Sequence, residues 1–170
     1  LEGTSLTLRF DPESGQVTDL ELRGTAQRPA FLHQQQDNGT LLEVRTVSLT
    51  GIFRSGVLIH TGLDGKVRMS QVSGGDADSA RTVSGDRGEA RFSPQGEAVG
   101  FTIEGGVKIW DADLVATAAR ALIDSEKGEV ELFGDPVKLT HPRGTLEAGQ
   151  LRYLEDMSLI HGHGGIIAVL

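Results

Sequence analysis

Two histidines one residue apart, His161 and His163 around Gly162, form the densest metal-ligand pattern in the chain, with His141 a further imidazole upstream. On a β-strand residues i and i+2 share a face, an arrangement that metal sites use. The pair alone is a weak signal, and Gly162 is better explained as the closing glycine of a repeat unit, so the histidines read as surface or structural and no metal is expected. Asp76-Ala77-Asp78, beside Gly74-Gly75, and Asp111-Ala112-Asp113 offer carboxylate pairs for calcium or for glycoside hydrolysis. Neither recurs at the nine-residue period of a calcium β-roll, so both read as solvated turn carboxylates. Cysteine is absent, which removes disulfides, thiolate zinc sites and thiol nucleophiles. There is no Gly-x-Ser-x-Gly elbow and no phosphate-cradling glycine loop. Asn38-Gly39-Thr40 matches a glycosylation sequon, but it reads equally as an Asn-Gly turn. Neither catalysis nor a cofactor is expected.

The elements that carry these residues come from a chain of 170 residues with 24 acidic and 16 basic side chains, a net charge of −8. Residues 1–85 hold 8 basic and 10 acidic side chains and residues 86–170 hold 8 and 14, so neither half shows a basic patch. Phosphate binding wants a basic face, so nucleic acid is not an expected partner. At 38% hydrophobic residues the chain suits one folded domain, 1–170, burying about 70% of its unfolded surface. No apolar run reaches the ~20 residues of a membrane helix. The chain begins at Leu1 rather than Met, and it reads as a trimmed soluble chain from which any targeting segment was removed.

Helix signals are nearly absent. Apolar alternation bounded by Gly, Asp and Pro recurs throughout: Leu6, Leu8 and Phe10; Leu20 and Leu22; Phe101 and Ile103; Val130 and Leu132; Leu151 and Tyr153. This predicts an all-β fold. The pattern also repeats. Phe10 precedes a turn ending at Gly15, followed by Leu20, Leu22 and Gly24; Phe92 precedes a turn ending at Gly96, followed by Phe101, Ile103 and Gly105. Ile123 to Gly128, with Val130, Leu132 and Gly134, is a third copy, and Tyr153 to Gly162 a looser fourth. Adding apolar-x-Gly endings at Gly51 and Gly74 predicts about six two-strand units closed by Gly24, Gly51, Gly74, Gly105, Gly134 and Gly162.

A unit of two short strands cannot close a core alone and must stack on its neighbours. If each unit adds one strand to each of two facing sheets, six units extend on the order of 30 Å. Apolar side chains from both sheets then line a long slot. The alternation changes phase across Gly134-Asp135-Pro136, across Gly149-Gln150, and between Ala118 and Ala119. These are expected to be corners that redirect a strand from one sheet to the other. The alanine-rich stretch Leu114 to Leu122, the best helix candidate, reads as strand on the same ground.

The run from Ala119 to Leu139, with Arg143 to Tyr153 after it, resembles the OstA-like repeat of the periplasmic lipopolysaccharide-transport proteins. The resemblance is best over 114–162, fair over 1–30 and 80–110, and weak over 31–79. It implies a twisted, slot-like antiparallel jelly roll that shelters the acyl chains of lipopolysaccharide or a related glycolipid. It also implies edge-to-edge stacking with other OstA-like jelly rolls, a periplasmic location and no catalytic residues. A version anchored in the inner membrane needs an N-terminal helix that this chain lacks.

Under this resemblance the expected lipid-binding residues are Leu22, Phe101, Ile103, Ile123, Val130, Leu132, Leu139, Leu151 and Tyr153. Ile166, Ile167 and Val169, in an uncharged apolar C-terminal run, are expected to form a pairing edge. The competing expectation for the same residues is a polymerising β-solenoid scaffold with a filled core. A third, a carbohydrate-active β-solenoid using Asp111 and Asp113, wants acidic residues at one offset in adjacent units. They are scattered instead.

Overall fold

The computed structural model describes residues 1–35, 40–72, 80–111, 113–154 and 159–169. Among them the chain forms β1 (Ser5–Phe10), β2 (Val17–Arg23), β3 (Ala30–Gln35), β4 (Leu41–Thr46), β5 (Ser48–Arg54), β6 (Val57–Val72) and β7 (Arg81–Phe92). It continues with β8 (Ala98–Asp111), β9 (Leu114–Asp124), β10 (Glu129–His141), β11 (Gly144–Leu154), β12 (Ile160–His163) and β13 (Ile167–Val169). Every pairing is antiparallel, in the order β1-β2-β5-β6-β7-β8-β9-β10-β11-β12, with β3 on β4, β4 on β6 and β13 on β11. The all-β expectation holds, and the alanine-rich stretch is strand β9.

The long strands bend in the middle and serve two half-sheets. Strand β6 pairs with β5 up to Asp64 and with β4 from Arg68 onward. The register of β6 with β7 breaks between Asp64 and Val67, that of β7 with β8 between Ser84 and Arg87, and that of β8 with β9 between Glu104 and Val107. The break between β10 and β11 spans Phe133 to Val137, opposite Gly149. The predicted corners at Gly134–Pro136, Gly149 and Ala118–Ala119 are therefore corners, and Gly65–Lys66, Gly85–Asp86 and Gly105–Gly106 continue the same line. Val47 is the corresponding bend between β4 and β5: its amide donates to Gly65 O (3.0 Å), and its carbonyl accepts from Gly24 N (2.7 Å). At the far end Gly149 N donates to Gly164 O (2.7 Å).

The first half-sheet thus contains β1, β2, β5, the matching halves of β6 to β11, and β12. The second contains β3, β4, the other halves of β6 to β11, and β13. Each half buries one face, and the two faces share one core. Of the predicted closing glycines, Gly105 and Gly134 lie at corners and Gly24 opens the corner between β2 and β3. Gly51 and Gly162 lie instead within β5 and β12, and Gly74 falls outside the described residues.

The turns confirm the repeat. Asp11 Oδ1 accepts the amides of Ser14 (2.7 Å) and Glu13 (3.1 Å). Ser93 Oγ accepts those of Gln95 and Glu97 (both 3.2 Å), and Asp124 Oδ1 accepts that of Lys127 (3.1 Å). Each turn ends on a glycine in the left-handed region, Gly15, Gly96 and Gly128. The Ser14 amide holds the Asp11 carboxyl below its ordinary pKa. The Lys127 ammonium, donating to Asp124 Oδ2 at 2.9 Å, does the same for Asp124.

Gly24 is the corner least able to take a side chain. An added Cβ would collide with Ala30 N and come within 2.5 Å of Arg28 O and Pro29 C, all backbone. Gly24→Ala is expected to cost about 1–3 kcal/mol, read as a lowered urea midpoint. An unchanged midpoint would show that the corner yields.

Candidate functional site

Cross-strand register assembles the inner faces into continuous rows. In the first half-sheet one row runs Leu8, Leu20, Gly51, Thr61, Ala90, Phe101, Ile123, Val130, Tyr153, Ile160. Its neighbour runs Leu6, Leu22, Leu49, Leu63, Gly88, Ile103, Ala121, Leu132, Leu151, Gly162. Facing them in the second half, Leu32, Val44, Met69, Val83, Ile109, Ala116, Leu139, Leu146 and Ala168 form a third. Alternation alone dictates this, since every second residue of a strand points to the same side.

The expected slot residues are thereby brought together. Phe101, Ile123, Val130 and Tyr153 stand side by side in the first row, and Leu22, Ile103, Leu132 and Leu151 lie in the second. Leu139 faces them from the other half-sheet. All nine are buried; Ile103, Val130, Leu132 and Leu151 have no exposed surface at all. They meet each other across the interior rather than an open channel.

The interior reaches solvent at its ends. At the N-terminal end Leu6, Leu8 and Phe10 of β1 are 53%, 39% and 57% exposed. Opposite them, among the described residues, the second half-sheet supplies only the isolated Glu2–Phe31 bridge beyond β3. At the C-terminal end a 450 Å³ cavity opens between β12 and β13, with Leu139, Leu146, Ile160 and Ala168 as its apolar lining and His141 and Arg143 among its polar members. Sequence reasoning placed only Leu139 here. Ile160 was visible as the apolar residue of the loosest repeat copy, whereas Ala168 is recognisable only through its register with Leu146.

Along the rim, Gln34 Nε2 donates to Gly96 O, tying the end of β3 to the turn between β7 and β8. Asp111 is no solvated turn carboxylate, for it forms a half-buried ion pair with Arg81, whose Nε donates to Oδ2 at 2.8 Å. Asp113 is exposed, and Asp76 and Asp78 lie outside the described residues. His161 and His163 are exposed on β12, opposite Arg152 and Gln150, while His141 ends β10 and accepts the Arg143 amide at 3.2 Å.

The expected edge residues divide. Ile167 and Val169 belong to β13 but lie opposite Glu147 and Thr145, on the outer face, and Ile166 precedes the strand. All three are more than half exposed. β13 pairs only with β11 among the described residues, so its other edge is open.

This architecture is a bent-strand antiparallel jelly roll whose apolar interior opens at both ends. No family model and no curated protein matches the sequence. Among solved structures the chain is similar to LptH of Pseudomonas aeruginosa, described as the LptA homologous periplasmic component of the lipopolysaccharide transport device. The TM-score is 0.61 at 12% identity, covering 76% of this chain and 94% of that one. At that identity the likeness is one of fold.

Thr61 interrupts the apolar rows. Its hydroxyl is buried with no hydrogen-bond partner among the described residues. An unpaired buried hydroxyl is costly, so Thr61→Val is expected to raise stability by about 1 kcal/mol in chemical denaturation. A lowered midpoint would mean that the hydroxyl has a partner.

Proposed function

We propose that this chain carries the acyl part of lipopolysaccharide, or of a related glycolipid, between its two half-sheets in the periplasm. The observation that carries this is the cavity between β12 and β13, where the inner rows reach solvent at Leu146, Ile160 and Ala168 beside His141 and Arg143. An apolar lining suits acyl chains, and a guanidinium suits the phosphates of an anionic headgroup. Each acyl methylene removed from water contributes about 0.8 kcal/mol. The similarity to LptH supports the same reading, at the level of fold. The work is carriage without bond chemistry, and energy for transport comes from elsewhere.

Complete burial of Ile103, Leu132 and Leu151 favours the second reading, a scaffold with a permanently filled core. Binding of purified lipopolysaccharide separates the two. Saturable binding is expected for the parent chain, with a loss of about tenfold or more in Ile160→Glu and Leu146→Glu, both at partly exposed positions. Their melting temperatures should stay close to the parent's. A parent chain that binds no lipopolysaccharide would sink the carrier reading and leave the scaffold.

Transfer along a chain of such proteins would use the open edges. β1 presents one at the N-terminal end, and β12 and β13 present the other. Unpaired backbone groups on an edge strand are a template for another chain. Concentration-dependent association in sedimentation is expected, weakened by Leu8→Pro, since the Leu8 amide faces away from β2 and is the edge donor that proline removes. A chain that stays monomeric at the highest attainable concentration would count against edge pairing with itself.

A further inference from the structure

The outer face of the second half-sheet gathers positive charge that is scattered in the sequence. Arg45, Arg68, Ser84, Lys108, Thr117 and Lys138 are successive register partners across six strands. The four cations are all exposed. At ~4.8 Å per strand their row is about 24 Å long. Lys138 pairs with Glu147 at 2.9 Å, and Arg45 lies 3.9 Å from Glu43. Among the described residues Arg68 and Lys108 have no carboxylate within ion-pair distance. The outer face of the first half-sheet is mixed instead: Glu21, Glu89, Glu131 and Arg152 share one row, with Arg23 and Arg152 at ion-pair distance from Glu21 and Glu131.

Beside this row lies an aromatic. Trp110, two residues beyond Lys108 and therefore on the same face, is 40% exposed, and its register partner Val115 is 37% exposed. A sandwich strand gains nothing by showing its outer tryptophan to water. A tryptophan beside a line of cations suits the boundary of a bilayer, where indole rings settle at headgroup level and basic side chains meet anionic lipid.

We propose that this face lies against an anionic lipid bilayer, with Arg68 and Lys108 meeting the headgroups and Trp110 entering the interface. A straight row of this length matches a plane of negative charge better than a single phosphate. It lies outside the interior, so the docking does not rest on what the interior holds. A carrier oriented this way would keep both open ends of its slot beside the membrane surface.

Trp110 is the only tryptophan in the chain, so its emission reports on this face directly. The test mixes the full chain with phosphatidylcholine vesicles, with and without phosphatidylglycerol, and follows flotation and Trp110 emission. Flotation with a blue-shifted emission is expected only with phosphatidylglycerol, and it should fade in high salt. The Arg68→Glu, Lys108→Glu double variant should bind at least about 25-fold more weakly, about fivefold for each basic charge removed. Both positions are exposed, and circular dichroism checks that the variant folds; the emission measurement needs no variant. Three results would overturn the proposal: no flotation with anionic vesicles, flotation with unchanged Trp110 emission, or equal binding by the folded double variant. Salt-sensitive self-association without flotation would also overturn it, and would place a second copy here.

Discussion

Everything in this molecule depends on strands turning a corner without losing their hydrogen-bond ladder. A strand that serves two half-sheets must keep its apolar side inward before and after the bend, and its backbone polar groups must stay paired throughout. The bends meet this demand by lying in line. Gly24, Val47 and Gly65 are linked by backbone hydrogen bonds, as are Gly149 and Gly164 at the other end. A bend displaced by one residue on one strand would send half of that strand's side chains to the wrong face. The bend line therefore fixes both the register and the identity of the interior.

How legible that line is in the sequence depends on the residues each bend consumes. In β9, β10 and β11 the last inward residue before the bend and the first after it differ in parity: Ala118 and Ala121, Leu132 and Val137, Ala148 and Leu151. A phase change in the apolar alternation exposes these three corners. In β6 and β8 the inward pairs are Leu63 and Val67, and Ile103 and Val107, so parity is kept and the corner is silent. Those two bends use consecutive left-handed residues, Gly65–Lys66 and Gly105–Gly106, and Lys66 is not a residue from which positive φ is expected. In β7 the phase does change, but from Val83 to Gly88, and a glycine carries no apolar signal. This is why the repeat is hard to read in β6 and β7, although both are bent strands of the same kind.

The inner rows were readable wherever the inward residue is large. What the sequence hides is that large residues are seated against small ones. Gly88 leaves the space that Ile103 fills, since a Cβ there would lie 2.7 Å from Ile103 Cδ1. Ala121 stands between Ile103 and Leu132 in the same row. Such packing closes the two half-sheets on one another. The corners are covalently continuous, whereas the rims meet through contacts such as that of Gln34 with Gly96. Rotation about the bend line is therefore the least costly way for the half-sheets to part, because it spares the ladders within each half.

The same alternation that builds the interior also sorts the exterior, and there the sequence misleads. Counted along the chain, the cations form no patch, because Arg45, Arg68, Lys108 and Lys138 are separated by long stretches holding both signs of charge. Each occupies the outward position at the same level of its strand, and only the pairing order makes them neighbours. In a bent-strand sheet the residues on one outer face of one half recur once per strand, far apart in sequence. Surface chemistry in such a fold is thus a property of register, and charge counted in windows averages the two outer faces together. The acidic total conceals a row of like positive charge on one outer face.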